Sequence, residues 1–210
     1  MFTRTRSRTL AVGGAVVLCT AAAASAATTS AGGSAATSTS HSAHQHADHG
    51  DRVVLAVVLR GTDGANVGRV TLKQTGDTVV VRGRAESLTP GFHGFHIHAV
   101  GICDPAAPAG PFTTAGGHYT GGEPAHGNHA GDMPPLLVTA DGRASSQFVT
   151  DRFGLAELRD FDGSAVMVHA GPDNLANIPT RYTSGGVPGP DATTLATGDA
   201  GARVACGVID

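Results

Sequence analysis

Gly94-Phe95-His96-Ile97-His98 alternates apolar and imidazole side chains at a period of two, the period at which a β-strand sends successive side chains to opposite faces. In a strand, Phe95 and Ile97 enter a core while His96 and His98 stand together on the other face. The same parity recurs in Val166-Met167-Val168-His169, where the two valines point inward and His169 outward. A single outward histidine is ordinarily a surface residue. Three of them, at matching parity on two strands, point to convergence on the outer surface of one sheet beneath a long loop.

On either side of that stretch the chain reads as short strands and turns. Apolar or alternating runs cover Arg52–Arg60, Asn66–Gln74, Thr78–Arg84, Phe92–His98, Leu136–Thr139, Ala144–Thr150, Ser164–His169 and Arg203–Ile209. Turn clusters such as Gly61-Thr62-Asp63-Gly64 and Gly76-Asp77 separate them. Helical periodicity is almost absent, with Leu155–Leu158 the one place for a helical turn. The fold class is therefore all-β, an eight-stranded antiparallel Greek-key barrel or sandwich. Two connections, Ala99–Pro135 and Ala170–Ala202, are too long for simple links and are expected to be functional loops.

The N-terminal quarter follows other rules. Arg4, Arg6 and Arg8 precede an apolar stretch from Leu10 to Ala24, and Ala24-Ser25-Ala26 is a small-residue cleavage site, so residues 1–26 read as a signal peptide. The stretch is shorter than the ~20 residues a membrane span needs. Leu18, before Cys19, is larger than the residue a lipid-attachment site takes. Residues 27–50 are rich in Ala, Ser, Thr and Gly and are expected to be a disordered leader. Its His41, His44, His46 and His49 are either a loose copper or zinc site or a polar linker. The folded domain is expected over 51–210.

Without residues 1–26 the chain keeps 11 cations against 17 carboxylates, a net charge of −6. With no clustered basic tract in the sequence, that balance argues against nucleic acid or another polyanion as partner. Low aromatic content (4%) and 30 glycines suit small-residue strands and long loops. Two cysteines remain, Cys103 and Cys206. Outside the reducing cytoplasm they are expected to pair, the alternative being two separate buried thiols.

The first long loop supplies His118, His126, His129 and Asp132, three imidazoles and a carboxylate within fifteen residues. That set matches the N/O donors and four-coordination of a closed zinc site. The strand histidines form a second nitrogen set, whose tetragonal preference suits copper. Placed between the two, His118 offers one ring nitrogen to each. His93 is an odd number of positions from His96, so a regular strand faces it away and a structural role is expected.

Taken together, these residues resemble the copper/zinc superoxide dismutases, over about Arg52 to Asp210. The most specific parts are Gly94-Phe95-His96-Ile97-His98 and Gly201-Ala202-Arg203-Val204-Ala205-Cys206-Gly207-Val208-Ile209. The resemblance implies copper ligands His96, His98, His118 and His169, and zinc ligands His118, His126, His129 and Asp132, bridged by His118. It implies that Asp173 accepts hydrogen bonds from a copper-bound and a zinc-bound histidine, here His96 and His126. An Asx turn at Pro172-Asp173-Asn174 is the other use for that side chain. Cys103 and Cys206 match the family's disulfide, and Arg203 its active-site arginine, which attracts a small anion.

The reaction implied is dismutation of superoxide to dioxygen and hydrogen peroxide at copper, with zinc ordering the loop and His118 carrying a proton. The competing reading is a non-enzymatic copper/zinc buffer or carrier of the cell envelope, which has no use for a bridging His118 or a positioned Arg203. A structural envelope protein with a vestigial site is disfavoured because every ligand position is filled. Superoxide is the expected substrate and the expected location is outside the cytoplasm, in the periplasm, envelope or extracellular space. Arg181 is a less specific candidate for steering the anion, and a surface role is expected for it. The oligomeric state stays open, a homodimer being one option.

Overall fold

The computed structural model describes residues 53–210, so the expectations for the signal peptide, the leader histidines and Cys19 lie outside the described residues. In chain order the elements are β1 (Val54–Gly61), β2 (Asn66–Thr75), β3 (Thr78–Ala85), β4 (Gly91–His93), β5 (Phe95–His98), β6 (Leu136–Val138), β7 (Ala144–Thr150), β8 (Ser164–His169), β9 (Thr183–Ser184), β10 (Val187–Pro188), α1 (Ala192–Thr197) and β11 (Arg203–Ile209). Nine strands make one antiparallel sheet in the order β4-β6-β7-β3-β2-β1-β11-β8-β5. Its two edge strands, β4 and β5, are consecutive in the chain through Gly94, so the sheet curls round and nearly closes as a barrel.

The expected Phe92–His98 strand is thus two strands. His93 pairs with Leu136 of β6, whereas Phe95 pairs with Val168 of β8. The break at Gly94 has a steric cause. A Cβ at Gly94 would meet the Cβ of Ala200 at 2.5 Å and His96 Cε1 at 3.0 Å. Only glycine lets the second long loop press against the barrel here, where Gly94 N donates to Gly171 O and His169 N to Gly94 O (2.8 and 2.9 Å).

The period-two pattern decides what fills the interior. Val57, Leu59, Val70, Leu72, Val79, Val81, Phe95, Ile97, Val166 and Val168 form the barrel core, and burial of such side chains contributes roughly 1.5–3 kcal/mol each. The opposite face of β8 is not left to solvent. Ala165 and Met167 pack with Phe112, Ala115 and Cys206 in a second cluster under the first long loop. The Cys103–Cys206 disulfide, with Cα atoms 5.7 Å apart, fastens that loop to β11 across a sequence separation of 103.

Both long connections match their expected bounds, and each is built rather than loose. The first runs back along the free edge of β5: Tyr119 N donates to Ile97 O and Ile97 N to Gly131 O (2.8 and 2.9 Å). Bridges His98–His118 and His96–Asp132 lie in the same run. The second loop holds the β9–β10 hairpin and α1, neither of which has a periodic signal in sequence. Asp191 caps α1 by accepting from Thr194 N, and Gly198 ends it at φ 62°, where a left-handed residue favours glycine. Near Leu155–Leu158 the expected helical turn is a 3-10 turn at Glu157–Arg159.

Candidate metal centre

Strand parity and the loop pairing on β5 bring the histidines together. His96 and His98 from β5, His169 from β8 and His118 from the loop offer ring nitrogens all within 4.8 Å of one another. All four are buried, His96 completely so. They face out of the barrel wall as the sequence parity requires, but the two loops roof them.

The hydrogen bonds fix which nitrogen of each ring carries the proton. A carbonyl only accepts, so His98 donates Nδ1–H to Gly116 O (2.9 Å) and His169 donates Nδ1–H to Gly201 O (3.0 Å). Their Nε2 lone pairs are then left facing each other at 3.3 Å. His96 donates Nε2–H to Asp173 Oδ2 (2.5 Å), and its Nδ1 is buried with no partner. Burial, reinforced by the nearby Arg203 charge, pushes His98 well below the usual histidine range. Burial and His96 push His169 down to about 3. Neutral imidazoles with bare lone pairs aimed at one point repel unless a cation lies between them, so these residues fit a metal bound by nitrogen.

Beside this group lies a second. His118 Nδ1 is 2.8 Å from Asp132 Oδ1, and His126 Nδ1 is 3.2 Å from the same oxygen without a hydrogen-bonding alignment. Asp132 Oδ2 accepts from the backbone N–H groups of Gly127 and His129 (2.7 and 3.1 Å), which aims Oδ1 at the histidines. Burial opposes charge on Asp132, but the His118 hydrogen bond and the close approach of His126 outweigh it and hold the carboxyl well below its usual range. His129 stands at the margin. Its Nδ1 is buried, unpartnered and 3.6 Å from Asp132 Oδ2, while the four atoms within 4.8 Å belong to His96, His118, His126 and Asp132.

Asp173 ties the two groups into one unit. Its Oδ2 accepts from His96 and its Oδ1 from His126 Nε2 (2.7 Å). Oδ1 also accepts from Leu175 N at 2.6 Å, so the Asx turn and the histidine link coexist. Burial works against a charged His126, but Asp132 and Asp173 outweigh it and raise its pKa to about 9.

Two features have weak or no signal in sequence. Gly198 makes room for the Asp173–His126 bond, since a Cβ there would collide with His126 Nε2 and Asp173 Oδ1; one glycine among thirty has no mark in sequence that sets it apart. The Gly116 carbonyl receives both His98 and Arg203 Nη2, while Arg203 Nη1 donates to Phe112 O at 2.6 Å. Backbone carbonyls carry no side-chain signature. His93 is structural, bonding His169 O through Nδ1 and Thr89 O through Nε2 (2.6 and 2.7 Å). Arg181 stacks on Tyr182, 4.9 Å from the ring centre.

Residues 66–209 match the family described as copper/zinc superoxide dismutase (SODC). The chain belongs to the copper/zinc superoxide dismutase family. It is 43% identical over 166 residues to the superoxide dismutase [Cu-Zn] of Mycolicibacterium paratuberculosis, covering 72% of this chain and 71% of that one. It is 52% identical over 132 residues to that of Mycobacterium tuberculosis, covering 58% of this chain and 54% of the relative. The Cu/Zn superoxide dismutase structure from Brucella abortus superposes with a TM-score of 0.57 at 32% identity, over 75% of this chain and all of that one. As a copper/zinc superoxide dismutase the protein is an oxidoreductase acting on superoxide, with copper and zinc as its metals. The buffer or carrier reading is not favoured. Bacterial relatives and the disulfide point to an exported protein. No helix among the described residues is long and apolar enough to cross a membrane.

Proposed function

We propose that His96 Nδ1, His98 Nε2, His118 and His169 Nε2 hold copper, and that His118 Nδ1, His126 Nδ1, His129 Nδ1 and Asp132 Oδ1 hold zinc, with His118 shared. The observation that carries this reading is the set of buried ring nitrogens that have no partner in the protein. The Nδ1 atoms of His96, His126 and His129 are buried without a hydrogen-bond partner, and the Nε2 atoms of His98 and His169 face each other at 3.3 Å. When bound, copper supplies the one-electron couple that both half-reactions need, and zinc the charge that orders the loop.

The chain's own residues do the rest. Gly116 O, Gly201 O and Asp173 fix the tautomers of His98, His169 and His96, so three lone pairs are aimed before any ion arrives. His118 keeps Nδ1 towards Asp132 and uses Nε2 to accept a proton in one half-cycle and pass it to the departing peroxide in the other. Arg203, pinned by two carbonyls, keeps guanidinium N–H groups for a small anion approaching a protein whose overall charge repels it. Residues 1–26 act as an export signal, and the mature protein works in the envelope or outside the cell.

Copper and zinc quantification on the purified protein, alongside superoxide removal, tests the assignment. His118→Ala is expected to abolish most turnover, and Arg203→Ala to slow it and flatten its salt dependence with copper content unchanged. Full turnover in copper-loaded His118→Ala would overturn the proton role. Loss of copper from Arg203→Ala would make that arginine structural.

A further inference from the structure

Whole-chain charge hides how the cations are arranged. In β2 and β3 the residues that alternate with the core point outward. There the register sets Arg69 directly opposite Arg84, although like charges across a ladder destabilise it. Lys73 and Arg82 lie on the same outer face, and Arg143 enters from the turn before β7. These five are half of the ten Lys and Arg beyond Val53. Glu86 and Asp141, at the rim, are engaged only loosely by Arg143 (3.7 and 4.0 Å). Among the described residues neither Arg69 nor Arg84 has a carboxylate partner. Asn66, Arg69, Arg84, Glu86, Arg143 and Ser145 line an open cleft of about 830 Å³. It lies across the barrel from β5 and β8, since β2 and β3 occupy the middle of the strand order and β5 and β8 one end.

We propose that this outer face of β2, β3 and β7 binds a linear phosphate polymer, leaving the metal centre open on the far side. Paired guanidiniums match phosphate oxygens bidentately, and a bound phosphate relieves the Arg69–Arg84 repulsion that the fold otherwise carries unrelieved. Two alternative anionic partners fit less well. A curved barrel wall meets a flat bilayer along only a strand or two, whereas a flexible chain can follow the cations from Lys73 to Arg143. A nucleic-acid strand would gain from aromatic stacking, but the outward positions of these strands carry Thr71, Val80, Ser145, Gln147 and Val149 and no aromatic ring.

The experiment titrates the metal-loaded protein with inorganic polyphosphate over a range of NaCl concentrations, with an oligothymidylate strand and phosphatidylglycerol vesicles run in parallel. Polyphosphate is expected to bind. Arg69→Glu with Arg84→Glu is expected to weaken it by about tenfold or more and to lower the slope of log K against log salt by about 1 to 2. Arg159→Glu, a cation elsewhere on the surface, leaves binding intact, and superoxide removal by all these variants is unchanged. The milder pair Arg69→Gln with Arg84→Gln, which keeps size and removes only charge, gives an intermediate loss. No binding of polyphosphate at low salt, an equal loss in Arg159→Glu, or capture by vesicles or oligothymidylate without polyphosphate binding would each overturn the proposal.

Discussion

Both oxygens of Asp173 are engaged by imidazoles, one from each half of the site, so its chemistry is two-sided. An amide at this position has one oxygen and one NH2. In Asp173→Asn the NH2 must face a ring N–H, and either His96 or His126 loses its orientation. The expected result is a 10- to 100-fold weaker affinity for at least one metal, the usual cost of losing a partner that orients ligands, with the barrel still folded. Competition against a chelator measures it, and unaltered affinity for both metals would show that Asp173 does not orient them. At this scale the sequence was informative wherever chemistry resides in side chains. His96, His98, His118, His169 and Asp132 are recognisable by type and spacing, and Asp173 only through the family resemblance. The Gly116 carbonyl, which holds both His98 and Arg203, had no residue type to announce it.

Among the elements, Gly94 is where the barrel seam, the second loop and two histidines meet. The added methyl of Gly94→Ala lies 2.5 Å from Ala200 Cβ, 3.0 Å from His96 Cε1 and 3.4 Å from His169 Cβ, so the loop must retreat. Overpacking of this kind costs about 1–3 kcal/mol, a fall in Tm of about 2–4 °C for each kcal/mol in a domain of this size. Calorimetry of the metal-free variant reads the fall, and unchanged Tm would mean that the loop is free to move aside. Strand existence was legible because a period of two survives in every core strand, from Val57 and Leu59 to Val166 and Val168. The break at Gly94 was not, because His93 keeps the parity of Phe95 and Ile97 yet pairs with β6 rather than β8. Nor were α1 and the β9–β10 hairpin, which are too short for a period and are held by caps and loop contacts.

For the whole molecule, the buried histidines set a pH optimum for the metal-free fold. His169 is held down to about 3 and His98 well below normal, whereas both titrate near 6.5 once unfolded. The unfolded chain therefore binds more protons, and stability that is full above about 6.5 is lost as pH falls towards 3. Asp132 and Asp173, held below their ordinary range mainly by histidine hydrogen bonds that outweigh burial, add to the loss at the acid end. His126 has the opposite sign. Raised to about 9, it contributes fully below about 6.5 and loses that contribution as pH rises through 9. Thermal unfolding of the metal-free protein from pH 4 to 10 is expected to give a maximum Tm near 6.5. A Tm that rises steadily across that range would refute the opposed signs.

Alternation along each strand and the donor types at each loop position are local properties, so the all-β class, the two long loops and the identity of the ligand candidates are legible without coordinates. Convergence is not local. Whether His96 and His169, seventy-three positions apart, share a pocket depends on β5 and β8 being neighbours. Which ring nitrogen is left bare depends on carbonyls delivered by remote turns. The net charge of the chain argued against any polyanion as partner, because it averages over the face on which Arg69 and Arg84 stand opposed. Those outcomes arise from the packing of distant segments, which sets pairing register and burial and which composition averages away.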